Sequence, residues 1–139
     1  MLGPVFRGYD PDHDRTVAVK VFSLDLTPEQ AEQFSVELSR LATLDLSHPA
    51  IIAPIAAGAQ GSSVYLAEEY FVADSIDIAI RQYGPARLSE GSRLVGLMAG
   101  ALDLAAAAGV HHGALHPRDV LVAPRELRLT GFGIVGALE

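Results

Sequence analysis

Lys20 is the only lysine in this 139-residue chain, and every other permanently charged basic side chain is an arginine. It sits in the apolar run Val17-Ala-Val-Lys-Val-Phe22. An ammonium on a slim stem delivers a point charge through a narrow slot, where a guanidinium presents a wide planar fork. One acid is placed in a comparable way. Glu37 follows Phe34 by three residues and precedes Leu41 by four, inside an apolar stripe where a carboxylate needs a cation. Lys20 is the obvious partner, and a plain structural ion pair is the simplest role for the two. A second group gathers later, in His111, His112, His116 and Asp119. His112 and His116 are four apart, the spacing by which a helix brings two imidazoles to one zinc, but Gly113 and Pro117 break such a helix. Asp119 offers a hard oxygen to a cation, yet one carboxylate is a poor metal site, and a turn or capping role suits it better.

These residues need elements to hold them. Pro4 to Tyr9 and Thr16 to Phe22 read as two strands joined by the turn-forming Asp10-Pro-Asp-His-Asp14. Period two puts Ala18, Lys20 and Phe22 on one face. Thr27, Pro28 and Gln30 make a helix start with a capping box, and Ala31, Phe34, Leu38 and Leu41 give its apolar stripe, to about Leu44. Ile51 to Ala57 and Ser63 to Tyr70 suit two more strands around a Gly58–Gly61 turn. From Ser75 the pattern turns helical, with Ser75 to Tyr83 stopped by Gly84-Pro85 and then Leu88 to Ala108. In that long helix Leu94, Met98, Ala101 and Ala105 share a stripe, and Gly96 and Gly100 suit close helix packing. Two short strands, Val120 to Val122 and Leu127 to Leu129, precede Gly131-Phe-Gly133.

Composition narrows the chemistry. Half the residues are hydrophobic and 19% charged, enough apolar material for a packed core. A formal charge of −7 repels nucleic-acid phosphates and anionic lipid, so neither is an expected partner. The absence of cysteine excludes disulfides, a thiolate nucleophile and Cys-ligated metal. Met1 to Pro4 has no leader pattern, and Leu94 to Val110 is interrupted by Asp103 and short of a span, so the expected setting is soluble and cytoplasmic.

Taken in order, the blocks resemble the protein kinase fold, nearest in style to bacterial Ser/Thr kinases. Val17-Ala-Val-Lys20 resembles the V-A-I-K strand, and Glu37 stands where the next helix carries that lysine's acid. His48-Pro-Ala-Ile-Ile52 resembles the H-P-x-I turn, and Tyr65 to Tyr70, with Glu69, the strand into the hinge. Gly109 to Val122 lies along the catalytic-loop pattern H-R-D-L-K-P-x-N, and Leu129-Thr-Gly-Phe-Gly133 along L-x-D-F-G. The resemblance implies an α+β kinase-like fold, residues 1–139 forming a partial domain. Its N-lobe would be 1–72, an antiparallel sheet plus helix; 73–139 would begin an incomplete helical C-lobe. It also implies a nucleotide slot drawn from Val5, Ala18, Lys20, Glu37, Glu69 and Leu121, with Glu68 at the gatekeeper position or displaced by one residue as an exposed strand acid.

The departures fall on the chemistry. His112 matches the loop histidine, which the resemblance makes a packed residue bonding to backbone. Gly113 replaces the arginine, Ala114 the catalytic aspartate, His116 the loop lysine and Asp119 the metal-binding asparagine. Gly131, before Phe132 and Gly133, replaces the aspartate that holds magnesium, and only Gly3-Pro-Val5 remains of the glycine-rich loop. The expectation is therefore a catalytically inactive kinase-like module for binding, scaffolding or regulation, with ATP as the candidate ligand and Mg²⁺ not expected. A weak Ser/Thr kinase relying on Asp119 and a non-catalytic nucleotide sensor are the alternatives. A protein partner, the remainder of a longer chain or a second copy is expected to cover the small apolar flanks of the long helix.

Overall fold

The computed structural model describes residues 3–139; of the opening stretch Met1–Pro4, the first two residues lie outside those described. Two compact units emerge, one from the chain up to Asp45 with Ala53–Phe71, the other from Leu46–Ile52 with Val72–Ala137.

The first unit is an antiparallel sheet with one helix. Strands β1 (Val5–Asp10), β2 (Arg15–Phe22), β3 (Pro54–Gln60) and β4 (Ser63–Glu69) stand in the order β1-β2-β4-β3, and helix α1 spans Pro28–Leu41. The acidic β1–β2 turn closes on itself. The Asp10 carboxylate accepts from Arg15 Nε at 3.0 Å and lies 2.9 Å from His13 Nδ1, and the Tyr9 hydroxyl donates to Asp14. Thr27 Oγ1 accepts from Gln30 N and Gln30 Oε1 accepts from Thr27 N, so the capping box forms as read. The helix ends at Leu41 rather than near Leu44, because the chain tightens into a turn in which Thr43 Oγ1 donates to the Arg40 carbonyl.

Alternation in β4 buries Val64, Leu66 and Glu68 on one face, and β2 contributes Phe22 to the same face. Helix α1 covers it with Ala31, Phe34, Ser35, Leu38 and Leu41, the Phe34 ring meeting Phe22 edge-on at 5.2 Å. Strand β3 starts later than the sequence suggests, at Pro54, because Ile51 and Ile52 pair elsewhere. It runs through Gly58, where the Tyr65 ring lies so close that an added Cβ would come within 2.5 Å of its hydroxyl oxygen.

The second unit contains β5 (Asp74–Ser75), α2 (Ile76–Tyr83), α3 (Leu88–Ala107), a 3-10 turn at Pro117–Asp119, β6 (Val120–Ala123), β7 (Glu126–Leu129) and α4 (Ile134–Leu138). Its small sheet has the order β5-β6-β7. The His48-Pro-Ala-Ile-Ile52 segment joins this unit: Leu129 N donates to the Ala50 carbonyl and Ile52 N to the Leu129 carbonyl. The His48 ring is anchored by Ala50 N and lies against Gly100 of α3, where a Cβ would stand 3.2 Å from Nε2. Gly100 is thus the close-packing glycine, whereas Gly96 faces open space. Ala101 and Ala105 are the fully buried positions of α3; Leu94 and Met98 are only half-buried. No helix among the described residues is long and apolar enough to cross a membrane.

Candidate functional site

In the first unit the chemistry centres on Lys20. Its ammonium lies 2.9 Å from Glu68 Oε1, with the two side chains 20% and 4% exposed. Register explains the contact. Ala18 stands directly opposite Glu68 and Lys20 opposite Leu66, so Glu68 is the diagonal neighbour of Lys20 on the same face. The small Ala18 side chain leaves room for the carboxylate, and the long lysine reaches it. Glu68 is therefore neither an exposed strand acid nor a bystander: it is the counter-ion of the lone lysine.

This corrects the pairing expected for Glu37. Five buried residues of α1 define its inner face, and Ser35, rather than Glu37, completes it. Glu37 lies roughly 60° round the helix from Phe34, at the margin of that face. Its side chain is 46% exposed and pairs with Arg40 one turn on, at 3.3 Å. A carboxylate at a helix margin finds water and a neighbouring arginine without having to enter the sheet.

The remaining slot residues of this unit are spread along the strands. Val5 faces Lys20 across the β1–β2 ladder and is exposed. Glu69 is exposed, and its Oε2 accepts from Ala53 N at 3.3 Å. The remnant of the glycine-rich loop lies back on β2: Pro4 O accepts from Val21 N at 2.9 Å, and a Cβ on Gly3 would fall 1.7 Å from the Val21 carbonyl oxygen. Only glycine permits that approach.

In the second unit the loop residues are held by local hydrogen bonds. His112 is buried, its Nε2 donates to the Thr130 carbonyl at 2.8 Å, and its ring meets Phe132 edge-on at 5.3 Å. A carbonyl only accepts, so the proton sits on Nε2. This is the packed, backbone-bonded histidine that the resemblance implied. Asp119 Oδ2 accepts from His116 N at 2.9 Å and His116 Nδ1 accepts from Arg118 N at 3.1 Å, a reciprocal cap around the 3-10 turn. Asp119 thus behaves as a capping acid, and one of its oxygens is already committed. Ala114 and His116 are exposed, and Leu121, half-buried on β6, pairs with Ser75 and Arg128.

Gly131 has φ +98°, and a Cβ there would stand 3.2 Å from His112 Nε2 and 3.9 Å from Asp119 Oδ1. A side chain there would be strained by the backbone conformation and would need the histidine to give by a few tenths of an ångström. Gly113 is tight as well, with Val135 side-chain carbons 3.1 Å from a built Cβ. Two-carboxylate coordination of Mg²⁺ therefore does not fit these residues, since Gly131 supplies no ligand and Asp119 is drawn into its own turn. Among the described residues no group of three His, Cys, Asp or Glu is placed to hold a metal.

Comparisons with known proteins agree with this architecture. The family model for the protein kinase domain matches residues 1–139. The serine/threonine-protein kinase PknK of Mycobacterium tuberculosis is 34% identical over 135 residues, which cover 96% of this chain and 12% of that protein. PknA of the same organism is 28% identical over 146 residues, covering 99% of this chain and 33% of that one. Among solved structures, the M. tuberculosis PknI kinase domain superposes with a TM-score of 0.78 at 26% identity, over 96% of this chain and 54% of that chain. The chain thus spans a minor part of these curated relatives and about half of the solved kinase domain. With the family model matched along its whole length, the chain belongs to the protein kinase domain family.

Proposed function

We propose that this chain is a catalytically inactive kinase-like module that works by binding, scaffolding or regulation rather than by transferring phosphate. The observation that carries the reading is the state of the loop. Phosphoryl transfer is mainly positioning plus neutralisation of charge by metal ions that bridge the phosphates. Ala114 has no oxygen to accept a hydroxyl proton, a role worth roughly 10²–10⁴-fold. Gly131 carries no ligand, and Asp119 caps its own turn. A protein partner is the expected ligand class: α3 buries only Ala101 and Ala105 fully and leaves Leu88 and Val95 exposed. The names of the relatives favour a second reading, a weak Ser/Thr kinase working through Asp119 alone.

Melting curves with ATP, with and without Mg²⁺, separate the two, because a ligand of the native state raises stability by mass action. For an inactive module any stabilisation by ATP is the same in both. Stabilisation that appears only with Mg²⁺ supports the enzyme.

A further inference from the structure

Lys20 is the one cation of the first unit that the resemblance assigns to a phosphate chain, and in this protein it holds a carboxylate from the next strand. We propose that Glu68 is a resident anion that occupies Lys20 in place of a ligand phosphate and so excludes nucleotides and other polyphosphates from this site. The inference rests on the reading of the chain as a kinase-like binding module and adds the residue that governs what its slot accepts.

The geometry supports this in three ways. First, the pair is secluded: the Glu68 side chain is 4% exposed and that of Lys20 20%, so water screens the contact poorly. Second, the direction is wrong for phosphate. Val5 of β1 flanks Lys20 on one side and Leu66 of β4 on the other, and the ammonium is held at Glu68, on the β4 side. It is thereby drawn away from Gly3-Pro-Val5, the remnant of the loop that covers phosphates in the family. Third, Glu68 lies directly across from Ala18, another residue assigned to the slot. A phosphate brought to the ammonium would have that like charge beside it, 2.9 Å from the same nitrogen.

Because Lys20 is the sole lysine, its acetylation by an amine-selective reagent can be read by peptide mass spectrometry without interference from other side chains, the N-terminal amine serving as internal control. The comparison is intact protein against Glu68→Gln and Glu68→Leu, each with and without millimolar ATP or inorganic tripolyphosphate, no Mg²⁺ added. The two substitutions differ in polarity, so a fold defect in one leaves the other. The expected result is that neither anion protects Lys20 in the wild type, whereas in a folded variant both slow acetylation. The slowing should reach about tenfold when the ligand stands at roughly ten times its Kd. Protection by tripolyphosphate as well as ATP assigns the effect to the phosphate chain; protection by ATP alone makes the adenosine part the group recognised and overturns the inference. Protection of Lys20 in the wild type also overturns it, as does its absence in folded variants. Phosphate transfer, measured separately, would overturn both the non-catalytic reading and the exclusion of nucleotide, whereas protection of wild-type Lys20 without any transfer overturns the exclusion alone.

Discussion

Removing Lys20 tests which acid it serves. In Lys20→Met the Glu68 carboxylate is left in a site where its side chain is 4% exposed. Breaking a buried pair by deleting one partner costs about 3–5 kcal/mol, and the 20% exposure of Lys20 argues for the lower end, about 3 kcal/mol. Glu37→Gln removes only a half-exposed contact with Arg40, one turn along the same helix, worth about 0.5 kcal/mol or less. The double variant Lys20→Met/Glu68→Leu replaces both charges with apolar groups of similar length, and such replacements are often close to neutral, so it should return to within about 1 kcal/mol of wild type. Urea unfolding followed by circular dichroism gives the values. With a slope of about 2 kcal/mol/M, the Lys20→Met midpoint should fall by about 1.5 M, the Glu37→Gln midpoint by about 0.25 M at most. A double-mutant cycle should show coupling of about 2–3 kcal/mol between positions 20 and 68 and almost none between 20 and 37. If Glu37→Gln costs as much as Lys20→Met, or the coupling lies between 20 and 37, the assignment of Glu68 is wrong.

Two further outcomes follow from local geometry. Gly131→Asp should cost about 1–3 kcal/mol, since φ is +98° and the new Cβ presses on His112, and it should bring no Mg²⁺-dependent nucleotide binding. A stable Gly131→Asp protein that gains such binding would contradict the account. At acid pH the β1–β2 turn should weaken. The hydrogen bond from Arg15, aided by His13, holds the Asp10 carboxyl below its ordinary value of 3.8. A lowered carboxyl contributes stability that is present above the unfolded pKa and lost as pH falls through the folded one. The melting temperature should therefore drop less steeply below pH 3.8 in Asp10→Asn than in wild type. Parallel acid limbs would refute this.

Much of the fold was legible because its signals are local. Thr27, Pro28 and Gln30 announce α1 through backbone groups that only a helix start leaves unpaired, and the structure forms that box. The Asp10–Asp14 cluster marks the hairpin for the same reason. Readings that depended on register fared differently. Glu37 fits a helical spacing when only Phe34 and Leu41 are counted, yet Ser35 closes the buried face and leaves Glu37 at its edge. The partner of Lys20 comes instead from a strand far along the chain, and nothing in the sequence around Lys20 states that alignment. A signal was nevertheless present. Val64, Leu66 and Glu68 alternate in the buried phase of β4, and an acid in that phase needs a cation. The two-residue β5, the 3-10 turn and α4 were missed because they are too short for periodicity to emerge. The cap that occupies Asp119 depends on His116 Nδ1 as well as on its own carboxylate, a reciprocity that the spacing alone does not reveal.

An inactive module transfers no phosphate, and radiolabelled ATP with Mg²⁺ and a generic protein substrate reads this without an intermediate step. Lys20→Ala serves as the matched control. The expected result is incorporation indistinguishable from that control, in both the substrate and the chain itself. Incorporation that rises with time in the wild type and disappears in Lys20→Ala would contradict the claim and make the protein an enzyme.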